Sequence, residues 1–513
     1  MHARLYRQTS RRRMPTISQV TAHSNLNPAP TGSHSKVFLW GKSMAGAPSL
    51  ISFPVRRGER QLVAPARPTP YGFKMLSDID DQDVLRFYRS GIFFYRGNAP
   101  REGLDPVKVI RSALAEALVH FHPLAGRLRE LQPTRKLVVE CTGEGVVFVE
   151  ADADVRMDDL GDSLAPPVPC YDKLLCEPES PTAVVVDRPL IYFQVTRLRC
   201  GGFIFGFQIC HCMADGTGIV QFLTALTEFA RGVPGAPTVR PVWERELFMA
   251  GWPPEITYDH QEYAPLPDRG KDMAIPGDDV FAHHAFFFGP SEIAAIRSQA
   301  PPALRSATSR FDLVGAFMWR CRTAALRFDP DDLVRLSLFV NARVRNRSRR
   351  PVPPGYYGNA FAFAAAAAAA GELCRRPFGY ALQLLLEAKA RASQEGYVQS
   401  VASFNAARRR PPFPKARTYL ISDVTQAGLL AVDFGWGRPL YGGPATIMLA
   451  TFHLEGRNEA GDAGILVPMR LPAPAMEGLK QQVRKELTAY GAIENDGDKI
   501  NSNLVPGPVL AKL

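Results

Sequence analysis

The chain has 513 residues, 46% of them hydrophobic and 22% charged. That is a globular composition and more length than one ordinary core fills, so two domains with extras are expected. The formal net charge of +11 would argue for nucleic acid or an anionic membrane as partner, but the first 43 residues hold seven Arg and Lys and no Asp or Glu, which leaves only +4 for the rest. Neither partner is therefore expected, and no apolar run reaches the ~18 residues a membrane helix needs. Eight scattered cysteines without a C-x-x-C pair exclude a disulfide framework as an expectation. Cys210-His211-Cys212 lacks a second ligand pair at zinc spacing, so no metal is expected either.

Residues 1–43 read as a disordered or upstream-start extension, with an acid-poor transit peptide as the other reading, and Met44 opens an ordinary domain start. From Pro106 onward helical and strand patterns alternate, as in layered α/β proteins with mixed sheets. Val107 to Val119 is predicted helical, with Val109, Ala113, Leu114 and Leu118 on one face. Lys136 to Glu140 and Gly145 to Glu150 are predicted strands, and Ile191 to Arg197 with Gly202 to Ile209 repeat the arrangement around the turn Cys200-Gly201-Gly202. A helix follows at once, carrying Ile219, Phe222, Leu223, Leu226 and Ala230 and stopping at Arg231-Gly232.

Residues 233–275 are rich in proline, aromatics and charge and lack periodicity, which suits a crossover between an N-terminal domain at 44–232 and a C-terminal domain at 276–490. Phe281 to Phe288 is a predicted strand, and Ser309 with Asp312 makes an S-x-x-D cap for a helix through Trp319 and Arg322. Leu336 to Val340 is a strand, Phe378 to Arg391 a helix, Thr446 to Leu454 and Gly464 to Met469 strands, and Ala475 to Tyr490 a last helix. The polar residues 491–513 read as a flexible tail.

The sharpest feature is the run from Gln208 to Gly216, in which His211 ends an apolar strand and Asp215 follows four residues later, just before a helix. Imidazole has an ordinary pKa of about 6.5, which suits a proton acceptor near neutrality. Asp215 reads as a helix cap that holds geometry through an ion pair. A bare H-x-x-x-D arises often by chance, so a second feature is needed. It stands 222 residues further on at Asp433-Phe434-Gly435-Trp436-Gly437, where two glycines frame a tryptophan in a tight turn.

H-x-x-x-D-G with D-F-G-W-G, in this order and separation, resembles the plant BAHD acyltransferases from about Met44 to Tyr490, as do Pro123–Leu128, Gly143–Gly145 and Asn341–Arg343. The resemblance implies a chloramphenicol-acetyltransferase-like α/β fold of two domains, each a mixed sheet flanked by helices, with the active-site channel between them. It implies His211 as general base for an alcohol or amine attacking an acyl-CoA thioester, and Asp215 turned away to pair with an arginine, for which Arg343 is the candidate. Asp433, Gly435, Trp436 and Gly437 would be structural, and Ser422 would place a hydroxyl near the developing oxyanion. Val424 stands where many members have Trp. Acyl-CoA would be a co-substrate, with no cofactor bound permanently, and the protein a cytoplasmic monomer.

Leu62–Ala66, Leu76–Asp80, Gly355–Phe361, Ser422–Thr425 and Leu471–Met476 are most similar to the benzyl alcohol O-benzoyltransferase branch, which implies benzoyl-CoA and a small alcohol. A hydroxycinnamoyl or acetyl transferase on a larger alcohol or an amine, and a non-catalytic paralogue serving as a binding module, remain open beside it. The alanine run 364–370 and a short segment after Pro444 depart from the family pattern. The basic clusters Arg343–Arg350 and Arg408–Lys415 read either as solvated surface or as contacts for coenzyme phosphates. His120, His122, His283 and His284 read as structural.

Overall fold

The computed structural model describes residues 52–492, apart from 99–100, 102, 162–163, 167, 169, 179–183, 267–280, 345–346, 448–449 and 459–460. The expected extension 1–43, much of the crossover's end and the tail from 493 lie outside the described residues.

The strands, in chain order, are β1 (Val55–Arg57), β2 (Gln61–Val63), β3 (Phe73–Met75), β4 (Tyr88–Tyr95), β5 (Arg127–Leu131), β6 (Lys136–Glu140), β7 (Val146–Ala153), β8 (Ile191–Leu198), β9 (Phe203–Cys210), β10 (Phe281–Phe288), β11 (Leu333–Asn341), β12 (Phe361–Ala369), β13 (Thr418–Asp423), β14 (Tyr441–Pro444), β15 (Ala450–Arg457) and β16 (Ala463–Pro472). The helices are α1 (Pro106–His120), α2 (Tyr171–Leu174), α3 (Gly216–Ala230), α4 (Pro290–Ser298), α5 (Pro302–Arg305), α6 (Arg310–Leu326), α7 (Ala370–Arg375), α8 (Phe378–Ala392), α9 (Tyr397–Ala407) and α10 (Ala473–Ala489).

The strands form two large sheets and a small one. The first sheet runs β1-β7-β8-β9-β4-β14 with β2 also on β7, the second β10-β16-β15-β13-β11-β12, and the third β3-β6-β5. Both large sheets are mixed: β7 and β8 pair in parallel, as do β11 with β13 and β13 with β15. Every residue of β9 is buried, which is why, Gln208 apart, it reads as an apolar run rather than an alternation. Helices α1 and α3 pack together beside the first sheet, and α6, α8 and α10 cover the second. Ser309 caps α6 reciprocally: its hydroxyl accepts from the Asp312 amide at 3.1 Å, and the Asp312 carboxylate accepts from the Ser309 amide at 3.1 Å.

Two features depart from the sequence pattern. The alanine run is strand β12, in antiparallel register with β11 from Leu333↔Ala369 to Asn341↔Phe361. Alanine favours helix by intrinsic propensity, so here a long-range partner decides the conformation. The second departure follows Trp436. The segment after it does not stay with the C-terminal sheet: β14 joins the first sheet, pairing Tyr441↔Phe94 through Pro444↔Gly91. The following strand accordingly begins at Ala450 rather than Thr446. The second half thus lends a strand to the first, and the described halves belong to one compact unit.

Candidate active site

His211 stands one residue past the end of β9, and its backbone amide donates to the carbonyl of Phe87 at 2.9 Å. Its carbonyl accepts from Asn359 Nδ2 at 2.9 Å, so the turn is held from the second half of the chain as well as the first. The ring packs 5.3 Å from that of Phe87 and keeps 9% of the residue surface exposed. Its Nδ1 is buried without a hydrogen-bond partner among the described residues. Burial pushes the imidazole pKa down to about 4, the nearby Arg89 guanidinium adds to this, and Asp215 opposes it. The ring is therefore neutral at pH 7, the state in which it can accept a proton.

Asp215 is the N-cap of α3, accepting from the Gly218 amide at 3.0 Å. Its other contacts come from across the molecule. Arg343 grips both carboxylate oxygens, at 2.7 and 3.1 Å, and the Ala360 amide donates to Oδ2 at 3.0 Å. Burial would raise this carboxyl's pKa, but Arg343 and the two amides outweigh it and hold it below its ordinary value. Arg343 also donates to the carbonyls of Tyr356, at 3.2 Å, and Gly358, at 2.6 Å, so most of its donors are engaged on the segment leading into β12. The start of α3 approaches that segment so closely that a Cβ at Gly218 would run into the Tyr357 carbonyl.

A second buried network supports the same turn. Asp80 Oδ1 accepts from the Asn359 amide at 2.9 Å, from Asn359 Nδ2 at 2.8 Å and from Arg245 Nη1 at 3.3 Å. Arg245, fully buried against Trp243, Tyr356 and Tyr357, also donates to the Met213 carbonyl at 2.8 Å, inside the H-x-x-x-D turn itself. The sequence pattern assigns Asp80, Asn359 and Arg245 no role. Asp80 and Asn359 lie within stretches that stand out only by family likeness, and no local spacing links residues 279 positions apart.

The D-F-G-W-G turn closes on itself. Asp433 Oδ1 accepts from the amides of Gly435, at 2.7 Å, and Gly437, at 2.9 Å, and both glycines have positive φ, 100° and 95°. Phe434 packs on Phe205 at 4.9 Å and Trp436 on Phe203 at 5.3 Å, both on β9, while Arg101 covers the Trp436 ring. Arg231 donates to the Asp433 carbonyl, and Tyr95 to that of Val432 at 2.7 Å. These residues brace the strand that leads into His211 and lie on the far end of it from the imidazole.

Ser422 is half-buried on β13, beside Phe452 in the parallel register with β15, and no hydrogen bond joins it to His211 among the described residues. Of the two basic clusters, Arg343 is spent on Asp215, and Arg410 pairs with Asp81 at 3.1 Å and donates to the Arg135 carbonyl at 2.6 Å, so both serve contacts between the halves. Cys212 turns its thiol to the Leu85 carbonyl. Two surface hollows, of about 640 and 420 Å³, are lined by residues such as Lys108 and Gly235 in one and Trp252 and Arg349 in the other, and neither includes His211.

A neutral imidazole sits at the seam of two mixed-sheet halves, with its turn pinned by a charged pair that bridges them, the arrangement expected of an acyltransferase of the chloramphenicol-acetyltransferase-like fold. The comparisons agree. The model of the Transferase family matches residues 53–486. The benzyl alcohol O-benzoyltransferase of Petunia hybrida is 48% identical over 453 residues, covering 87% of this chain and 96% of that protein. Alcohol acyltransferase 16 of Actinidia chinensis var. chinensis is 46% identical, covering 86% and 95%. Among solved structures, vinorine synthase matches with a TM-score of 0.65 at 21% identity, over 84% of this chain and 98% of that one, which speaks for the fold. The chain belongs to the BAHD acyltransferase family, on the side of its benzyl alcohol O-benzoyltransferase branch. It is an O-acyltransferase whose co-substrate is an acyl-coenzyme A thioester.

Proposed function

We propose that the protein transfers a benzoyl or related acyl group from its coenzyme A thioester to benzyl alcohol or another small alcohol, with His211 as general base. The observation that carries this reading is the imidazole itself: neutral, buried on Nδ1, packed on the Phe87 ring, and set on a backbone that is hydrogen-bonded from both halves of the chain. The names of the relatives support the choice of benzoyl donor and alcohol acceptor.

In this mechanism the alcohol oxygen attacks the thioester carbonyl carbon as His211 takes the hydroxyl proton. The tetrahedral intermediate then expels the coenzyme A sulfur, the carbon–sulfur bond breaks, and the imidazolium returns its proton to the leaving thiolate. The products are the ester and free coenzyme A, and no covalent enzyme intermediate is needed because the thioester is already activated. Asp215 and Arg343 are positioning residues: their pairing fixes the turn and keeps the carboxylate from the reaction. Ser422 supplies a hydroxyl toward the acyl side, and Asp433 to Gly437 hold β9 from behind. The protein acts as a monomer in the cytoplasm.

The test is coenzyme A release from benzoyl-CoA with a panel of alcohols. Benzyl alcohol and small primary alcohols are expected to be turned over, and His211→Ala to lose at least about 10²-fold in kcat/KM, the lower end for removing a positioned base. Equal release by the wild type and His211→Ala would overturn the assignment and favour a binding module.

A further inference from the structure

On β4 the residue after Tyr88 is an arginine, and among the described residues no carboxylate pairs with it. Strand alternation puts Phe87, Arg89 and Gly91 on one face, and the antiparallel register Arg89↔Ile209 puts that face on the same side as Ile209 and, two positions on, His211. The contacts agree with the pattern. Phe87, whose ring meets the His211 imidazole, lies 5.0 Å beneath the Arg89 guanidinium, and Phe452 of β15 lies 4.9 Å from it on the other half of the chain. Arg89 thus spans the same seam as the histidine, clamped between two phenyl rings.

The clamp satisfies its flat faces and leaves its edge. Nη1 is buried and has no hydrogen-bond acceptor among the described residues, and no Asp or Glu forms an ion pair with Arg89 there. The other internal arginines of this region are matched: Arg86 with Asp81 and Glu130, Arg245 with Asp80, Arg343 with Asp215. Arg89 is half-buried with its Nη1 sealed from solvent; a cation so placed without a counter-charge among the described residues is costly, and burial pushes its pKa down to about 10, still far above neutrality, so it stays charged. Its planar fork is suited to a carboxylate, which it can bind through two parallel hydrogen bonds. A substrate that presents a hydroxyl or acyl carbon to His211 and a carboxylate to Arg89 would supply the missing partner.

We propose that Arg89 is a specificity-determining residue that recognises a carboxylate on the substrate, on the acceptor alcohol or on the acyl group. The proposal rests on His211 marking the reacting centre and narrows the substrate class beyond neutral alcohols. A carboxylate here neutralises the cation beside the base, whereas a neutral substrate leaves the cation unpaired. Carboxylated substrates therefore gain from Arg89, and neutral ones do not.

The experiment compares wild type, Arg89→Ile and Arg89→Lys. With benzoyl-CoA the acceptors are benzyl alcohol and 4-(hydroxymethyl)benzoate; with benzyl alcohol the donors are benzoyl-CoA and succinyl-CoA. The ratio of kcat/KM for the carboxylated over the neutral substrate is expected to fall by about 10- to 100-fold in Arg89→Ile, the range for a hydrogen bond to a charged group. The arm in which it falls tells whether acceptor or donor carries the carboxylate. Arg89→Lys, which keeps the charge and loses the fork, is expected to fall between the two. Ratios that are unchanged in both arms overturn the proposal while leaving the transferase reading intact. Calorimetric binding of benzoate is a readout independent of turnover and of whether the variants fold: wild-type protein must bind benzoate more tightly than benzyl alcohol. If it binds them alike, Arg89 does not read a carboxylate.

Discussion

The two turns that mark this chain work on opposite principles. The His211–Asp215 turn is held by charge: half-buried Arg343 on Asp215, buried Arg245 on the Met213 carbonyl, and buried Asp80 behind Asn359, which donates to the His211 carbonyl. The Asp433–Gly437 turn uses its carboxylate on its own amides and meets the rest of the protein mainly through Phe434 and Trp436, with Arg231 on the Asp433 carbonyl as its charged contact. Charged contacts are directional and fix a geometry within tenths of an ångström, which a proton acceptor needs. Aromatic packing fixes a surface and tolerates small shifts, which is enough to back a strand. One turn is built for position and the other for adhesion.

Five measurements would break or sharpen that contrast. The largest effect is expected for Asp215→Ala, which leaves Arg343 and the Gly218 and Ala360 amides without their acceptor; the loss of stability in chemical denaturation should be about 3–5 kcal/mol, as for breaking a buried pair from one side. Activity should fall with it, and if Asp215→Ala melted like wild type the charged turn would not be the anchor described. Trp436→Ala should cost about 3 kcal/mol or somewhat more by removing the ring packed on Phe203 and Arg101. Its signature differs, because the pH dependence of the remaining activity should match wild type.

A smaller change is expected for Gly435→Ala, about 1–3 kcal/mol, since φ of 100° strains any side chain and a Cβ there meets the Arg101 guanidinium. A melting curve that coincides with wild type would mean the turn can rearrange. The smallest effect near neutrality is that of pH. His211 is proton-free above a pKa of about 4, so kcat/KM should be flat across neutral pH and drop only as acid protonates the ring. A rate that titrated near the ordinary histidine pKa of about 6.5 would mean the imidazole is solvated. The stability consequence has the same direction. His211, His283 and His284 are pushed down to about 4 and His453 to about 3 by burial, so the unfolded chain binds protons first. Their contribution is intact above the unfolded value of about 6.5 and is lost as pH falls toward 4, which denaturation at a series of pH values would follow.

Much of the fold was legible where a pattern is local. The S-x-x-D cap at Ser309 begins α6, Phe281–Phe288 is a strand to the residue, and the apolar run into His211 is β9 with a helix directly behind it. The Asp215–Arg343 pairing was expected from resemblance, and its atoms meet in the structure. The residues not legible are those whose meaning lies in a distant partner. Asn359 gains its place by contacting Asp80 and the His211 carbonyl, and Arg89 by standing between Phe87 and Phe452. The polyalanine segment is a strand because β11 offers it a ladder, against its own helical preference. No period, cap or turn residue announces such partnerships.

By itself the amino-acid order determined the local pieces: which stretches are apolar enough to be strands, where helices are capped, and that an imidazole and a carboxylate flank one tight turn. Those properties depend on neighbours within a few positions. Only the tertiary structure decided that β14 leaves its own half to pair with β4, that a cation without a counter-charge among the described residues stands on the histidine's side of the sheet, and that the histidine's proton is lost well below neutrality. Pairing, burial and unmatched charge are properties of chains brought together in space, and their free energies are set by what each group finds there.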